Sequence, residues 1–423
     1  VDRGGAPGPR WGPDDAMREM VLCCGIEGSN EEHANAFETQ VLDVVRAVSD
    51  DGVSPERLEA ILHQIELHQR EITGDGMPYG LNLMLRALGA ATHNGDAVAA
   101  LDLSPAVERL RQKITNPDFV KTRLRELVLE NPHRVTLVVA PDSSLDQQRK
   151  ERETARLQAM RADLDQSAID NIRKLAQDLE DRQNQVDDVS ILPKLGLADI
   201  PKDVVTPALT RLDIDEHTRH FVGTAGTNGL VYQQIALKLP ALTPAQQERL
   251  PLLCALATEV GLGDTTYLEI QDRQSASVGS LSLSVSTRAS RSDVNDISGF
   301  LVMSSKALAH KVSDQTRLMT DTLTAASFVE GERIRELVKQ IRARRDQSIS
   351  GAGHSLAMTA ACASMSPLAN LYHTQSGLEG IARLRRLDDS LTDTSSLRSL
   401  SEELTALRTH LLTTPSVNLL TVS

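Results

Sequence analysis

Part of this chain is written twice. Glu56-Arg57-Leu58-Glu59-Ala60-Ile61-Leu62-His63-Gln64-Ile65 returns as Glu332-Arg333-Ile334-Arg335-Glu336-Leu337-Val338-Lys339-Gln340-Ile341. Ile72-Thr73-Gly74-Asp75-Gly76 returns as Ile349-Ser350-Gly351-Ala352-Gly353, and Val135-Thr136-Leu137-Val138 is echoed by Val417-Asn418-Leu419-Leu420. The spacing is far longer than the roughly 20–50 residues of a solenoid repeat, so it describes a duplicated domain. Each copy reads as a strand, a run of helices and a closing apolar strand. The second copy, from near Ile297, follows a long α/β stretch that begins at Gly229, whereas the first has only a short leader. Its front portion is therefore expected upstream of Val1. Both ends read as cuts: V-D-R-G-G-A-P-G-P-R opens in a loop, and N-L-L-T-V-S stops inside a strand.

The duplication also decides the most suggestive local motif. Residues 63–71 read H-Q-I-E-L-H-Q-R-E, close to a zinc-protease helix. The motifs H-x-x-E-H and H-E-x-x-H set their histidines four apart, over one metal. His63 and His68 are five apart, about 140° around a helix of 3.6 residues per turn, and cannot share an ion. Lys339 stands where His63 stands in the other copy. The stretch is read as a polar-faced surface helix, structural in both copies.

Helices are expected over Glu31–Val48, Ser54–Ile72, Tyr79–Ala91, Ser104–Ile114 and Asp118–Leu129, after a strand at Met20–Ile26. Ser54-Pro55 supplies a cap and a first-turn proline, and Gly74–Gly76 supplies a stop. Val135–Ala140 is a continuous β-type run. Between Asp146 and Asp188 the chain becomes charged, with two narrow apolar stripes broken at Leu164–Ser167, which predicts a helical hairpin. Basic and acidic residues interleave there, which argues against nucleic acid. Ile191–Pro207, with Pro193, Pro201 and Pro207, reads as an extended connector. Strands are expected at Gly229–Leu239, Ser280–Thr287 and Phe300–Ser305, and helices at Pro244–Val260 and Tyr267–Ser275. In S-L-S-L-S-V-S-T the alternation has period two, the mark of a half-solvated strand.

Aromatics make up only 2% of the chain, so its cores must be aliphatic. A net charge of −13 argues against nucleic-acid partners and suits basic or peptide ligands. Cys23, Cys24, Cys254 and Cys362 show no C-x-x-C spacing and are expected to be buried, reduced thiols of a cytosol-like compartment. No apolar run is long enough to span a membrane, and the start carries no signal-peptide core.

Four further stretches carry residues of the kinds that form sites. Asp213–His220 offers His217 and His220 beside three acids, but it leads into a strand rather than a metal-binding helix turn. Gly223–Gly229 lacks the spacing of a phosphate loop, and Asn228-Gly229 is a turn signal. Ser350–Ser355, with His354, lacks G-x-S-x-G and reads as a helix-ending linker. Arg342–Arg345 reads as a solvated helix face with an acidic partner domain as the alternative.

Taken in order, several stretches resemble the pitrilysin/insulysin family of zinc metallopeptidases, in its presequence-protease branch. They are Glu56–Ile65, Tyr79-Gly80-Leu81 with Asn94-Gly95-Asp96, and Asn131-Pro132-His133-Arg134-Val135-Thr136-Leu137. Leu192-Pro193, Ile200-Pro201, Thr227-Asn228-Gly229 with Val231-Tyr232, and Ser350-Gly351 with Gly353-His354 complete the match. The resemblance implies a longer protease of four related α/β domains, whose halves are joined by a helical hairpin and close as a clamshell around a peptide chamber. It implies an α+β fold with two related α/β domains, mostly antiparallel sheets flanked by helices. Residues 1–142 would be a truncated second domain, 143–190 the hinge hairpin, and 191–423 a truncated third domain. In that family H-x-x-E-H and a distal Glu of the first domain bind zinc, and an Arg and a Tyr of the fourth hold the substrate carbonyl. Neither set has a counterpart here, so no catalytic, substrate-binding or metal residue is assigned to this chain. The resemblance implies zinc bound outside the chain, the missing N-terminal catalytic and C-terminal domains as partners, and peptide substrates. Nucleic acid and membrane are not expected partners. The alternative is an inactive peptidase-fold scaffold or assembly subunit. The compartment implied is a bacterial cytosol, with an organellar matrix as the alternative.

Overall fold

A computed structural model describes residues 6–7, 12–14, 18–72, 76–200, 202–203, 206–414 and 416–423. The helix stop expected from Gly74, Pro201 of the connector and most of the N-terminal loop lie outside the described residues. Short strands β1 (Ala6–Pro7), β2 (Gly12–Asp14), β3 (Val21–Cys23) and β4 (Ile26–Glu27) come first. Helices α1 (Ala34–Asp51), α2 (Pro55–Arg70), α3 (Tyr79–Thr92), α4 (Ser104–Lys113) and α5 (Asp118–Leu124) follow. The charged segment forms α6 (Leu145–Ala162) and α7 (Gln166–Asn184). The first turn of α7 is capped by Asp165, whose carboxylate accepts from the Ala168 amide at 2.7 Å. Then come β5 (Leu209–Asp213), β6 (Thr218–Gly223), β7 (Leu230–Lys238), α8 (Pro244–Ala257), α9 (Tyr267–Ser277), β8 (Ser280–Ala289) and β9 (Ile297–Leu308). The chain continues through α10 (Val312–Ala325), α11 (Gly331–Gly351), α12 (Gly353–Cys362), α13 (Pro367–Gln375), α14 (Leu378–Ser390), α15 (Thr394–Leu411) and β10 (Val417–Val422). Five α-helices, α1–α5, follow β4, and six, α10–α15, follow β9.

Contacts divide the chain into two compact units. One holds Leu22–Val44 with Asn131–Thr206, and the other holds Val45–Glu130 with Pro207–Ser423. In the first unit α6 and α7 leave Leu157, Met160, Ile172, Leu175 and Leu179 exposed. The second is α+β and contains a six-stranded sheet in the order β5-β6-β10-β7-β9-β8. Strand β10 lies parallel to β6 and antiparallel to β7, and every other pairing in this sheet is antiparallel. The core is aliphatic, as the scarcity of aromatics requires. Leu253 and Leu256 of α8, Met303 of β9 and Leu318 of α10 meet Ile334 and Val338 of α11 and Leu400 and Leu404 of α15.

The two copies are packed unequally. Among the described residues, the only buried hydrophobic ones before residue 207 are Leu62, Leu67 and Val107. The strand expected at Val135–Ala140 does not form, and Val135 is 93% exposed. Its counterpart β10 has a neighbour on each side, whereas a strand without one leaves its amides and carbonyls unpaired. Residues 135–140 have no strand neighbour among the described residues, and Thr136 is tied instead to Glu38 of α1, Oγ1 to Oε2, at 2.6 Å. The cysteine expectation is corrected too. All four are free thiols, but only Cys254 is buried, while Cys24 and Cys362 are exposed. Burial pushes the Cys254 thiol up to about 12.

Candidate interface around helix α2

Helix α2 begins where the sequence says it should. Ser54 accepts from the Arg57 amide through Oγ, and Pro55 occupies the first turn. The reading of α2 as a polar surface helix is corrected, however. Leu62, His63 and Leu67 are buried, and the helix lies along α9. His68 is exposed, so the two histidines diverge as their five-residue spacing requires.

Each polar contact along this face has a chemical reason. The last carbonyls of α9 have no partner inside their own helix. The Gln64 amide donates through Nε2 to the carbonyls of Ser275 at 2.6 Å and Val278 at 2.8 Å. Both amide hydrogens are thereby used on the end of α9. Leu67 joins Leu230 and Leu308 in a small apolar cluster with Tyr232 against it. Gly279 allows that approach, since a Cβ there would lie 3.2 Å from both Leu67 methyl carbons. At the far end of α2, Lys306 of β9 pairs with Glu71, both mostly buried. Burial and, secondarily, the Glu71 charge push the Tyr232 phenol up. The Asn228 side chain donates to the Arg70 carbonyl at 3.1 Å from a turn in which Asn228 and Gly229 both have positive φ. That is the turn expected from Asn-Gly, and it meets the C-terminus of α2.

On its other flank α2 is held by α4. Arg111 pairs with Glu59 at 3.0 Å and Glu66 at 3.4 Å, and Arg70 pairs with Glu66 at 2.9 Å. His63 is the charge-capable group of this face left without full partners. Its Nε2 is buried and meets no hydrogen-bond partner among the described residues. Its ring stands edge-on to His310 at 6.5 Å between centroids.

The remaining candidates are scattered. His217 lies exposed in the β5–β6 turn beside Glu216, and His220 of β6 contacts Thr421 Oγ1 at 3.0 Å. His217 thus lies in a turn and His220 in a strand, and among the described residues neither belongs to a group of three metal-ligating side chains. Ser355 and His354 sit exposed at the α11–α12 junction, 3.4 Å apart. Arg342 is not simply solvated: it joins α11 to Asp388 at 2.7 Å and Asp389 at 2.6 Å on α14. Among the described residues no three His, Cys, Asp or Glu side chains are grouped to hold a metal. The donor set of a zinc centre is therefore not assembled among these residues. No helix among the described residues is long and apolar enough to cross a membrane.

Sequence reasoning missed Gln64, Gly279 and the Lys306–Glu71 pair. The signal for α2 itself was present in its Ser54 cap and first-turn Pro55, but nothing local names α9 as the partner.

Comparison with known proteins gives a consistent result. The profile of the family described as Peptidase M-16C associated matches residues 139–387. "Presequence protease, mitochondrial" of Danio rerio is 26% identical over 400 residues, covering 92% of this chain and 38% of that protein. "Presequence protease 1, chloroplastic/mitochondrial" of Arabidopsis thaliana is 25% identical over 354 residues, covering 82% of this chain and 32% of that protein. The chain thus spans less than two fifths of either relative. Among solved structures, a conserved protein from Enterococcus faecalis V583 aligns with a TM-score of 0.38 at 12% identity, over 51% of this chain and 48% of that one.

Proposed function

Because the chain belongs to the Peptidase M-16C associated family, we propose that it is the non-catalytic middle portion of a zinc metalloendopeptidase that degrades unstructured, presequence-like peptides in a two-halved chamber. In this reading the zinc, its H-x-x-E-H helix and the Arg/Tyr pair belong to polypeptide outside the chain. Residues 1–142 and 191–423 supply walls of the two halves, and 143–190 supplies the hinge. The enzyme's compartment is a bacterial cytosol, with the organelles named for the relatives as the alternative.

One observation carries the proposal. In the second copy, Ile334, Leu337 and Val338 of α11 are buried against the sheet unit's core, with Ile341 packed beside them. In the first copy, Ile61 and Ile65, the counterparts of Leu337 and Ile341, are 50% and 41% exposed. Apolar residues at i and i+4 with Leu58 at i−3 form a stripe that a helix normally buries. Further polypeptide, folded as a sheet of the kind that covers α11, would fill this place. The opposite side of α2, docked on α9, then serves as a contact between halves.

The test is an assay of this purified chain on a fluorogenic unstructured peptide, with and without added zinc, beside the full-length gene product. The chain alone is expected to be inactive, and the full-length protein to cleave in a chelator-sensitive way. Zinc-dependent cleavage by the chain alone would overturn the proposal. A full-length protein without the motif and without activity would establish the scaffold reading instead.

A further inference from the structure

His63 is the least comfortable group in the α2 contact. It is 4% exposed, and its surroundings can be named element by element. From α9, the Ser277 backbone faces the ring and favours its protonated form, as the smallest of the influences on it. The 3-10 turn Ala309–Lys311 after β9 contributes His310 and Lys311. From α2 itself comes Glu66, already engaged by Arg70 at 2.9 Å and Arg111 at 3.4 Å.

This setting suits one protonation state. A neutral imidazole has one N–H donor and one acceptor nitrogen. With the proton on Nδ1, the buried Nε2 is a bare lone pair, which costs less than a buried donor without an acceptor. Protonation turns Nε2 into a charged donor with no acceptor, beside Lys311 and with Glu66 already engaged. Buried, unsatisfied charged donors are among the costliest groups to bury.

We propose that His63 makes the docking of α2 on α9 an acid-labile latch, closed when the ring is neutral and released when it is protonated. The supporting titration has a definite sign. Burial first, then Lys311 and His310, hold the imidazole below its ordinary value of 6.5. A histidine lowered in the docked state contributes its full docking energy above that ordinary value. The contribution is lost as pH falls from there through the lowered value. As a regulatory role the latch rests on the reading of this contact as one between protease halves. As a physical event it belongs to this chain.

Hydrogen exchange measured by mass spectrometry on the 423-residue chain tests it between pH 8 and pH 5, corrected for intrinsic exchange. On acidification, protection of residues 55–70 is expected to fall about tenfold for each pH unit separating the ordinary titration from the docked one, while α15 keeps its protection. His63→Gln, which does not titrate, should show a flat profile. Should that variant fail to dock at any pH, Lys311→Met decides. It removes the nearby positive charge and should make the fall smaller. An α2 profile without pH dependence in the native chain, or an unchanged fall in Lys311→Met, overturns the latch. Failure of the protease reading would appear separately, as absent activity of the full-length protein.

Discussion

Gly279→Ala offers the sharpest test of how α2 is seated. The glycine's φ lies outside the left-handed region, so alanine meets no backbone strain. Its amide donates to the Lys306 carbonyl at 2.8 Å, which pins the backbone in place. The added Cβ would stand 3.2 Å from both Leu67 methyl carbons and 3.4 Å from the Lys306 Cε. Carbon pairs prefer about 3.5–4.0 Å, so Leu67 must yield by a few tenths of an ångström in a filled cluster. Overpacking of this kind costs about 1–3 kcal/mol. Undocking of α2 leaves residue 279 folded, so the net expectation is a loss of about 1–3 kcal/mol in α2 docking. Leu67→Ala alone should cost about 2–5 kcal/mol, since the residue is fully buried. In that background the methyl carbons are gone, and the cost of Gly279→Ala on α2 docking should fall to near zero. Opening free energies of α2 amides, from hydrogen exchange in a double-mutant cycle, measure this directly. Equal destabilisation by Gly279→Ala in both backgrounds would refute the proposed seating.

The inequality of the two copies predicts that Leu337→Ala lowers the denaturation midpoint of the sheet unit by the equivalent of about 2–5 kcal/mol. The matching Ile61→Ala should change this chain by less than about 1 kcal/mol, because Ile61 is already half exposed. Arg342→Ala should lower the melting temperature, by an amount that shrinks in high salt, because it unties α11 from Asp388 and Asp389 near the surface. Alkylation of the native chain at pH 8 should reach Cys362 well before Cys254, whose thiol is buried and held at about 12. Modification of Cys254 at a comparable rate would show that α8 opens without global unfolding.

Local signals carried the elements further than the contacts. The cap at Ser54, the alternation of Ser280–Thr287 and the Asn228-Gly229 turn each act over a few residues, and each appears where expected. The Val135–Ala140 strand failed because strand formation is a property of pairs. The same apolar pattern pairs on both sides at Val417–Val422 and with no described strand here. Burial of Cys24 and Cys362 failed for a related reason, since an apolar neighbourhood in sequence does not guarantee a packed one in space. For α2 the difficulty was one of choice. Its sequence holds one apolar stripe, Leu58-Ile61-Ile65, and two leucines off it, Leu62 and Leu67, and periodicity favours the stripe although the partner covers the other two.

That choice separates two helices grown from one pattern. Helix α11 buries the stripe of Ile334, Leu337 and Val338 and leaves Lys339 exposed, whereas α2 buries His63 at that last position. At 100° per residue, the buried face of α2 is rotated by roughly a third of a turn relative to that of α11. With α9 on one side and the Arg111 ion pairs of α4 on another, the Ile61–Ile65 side is the apolar one left open. Anything that binds the open side only while α2 is docked must favour docking, by RT ln(1 + [L]/Kd). Covering Ile61 and Ile65 therefore closes the His63 latch more firmly without touching His63. The acid sensitivity of this chain is accordingly an upper bound on that of any assembly in which the stripe is covered.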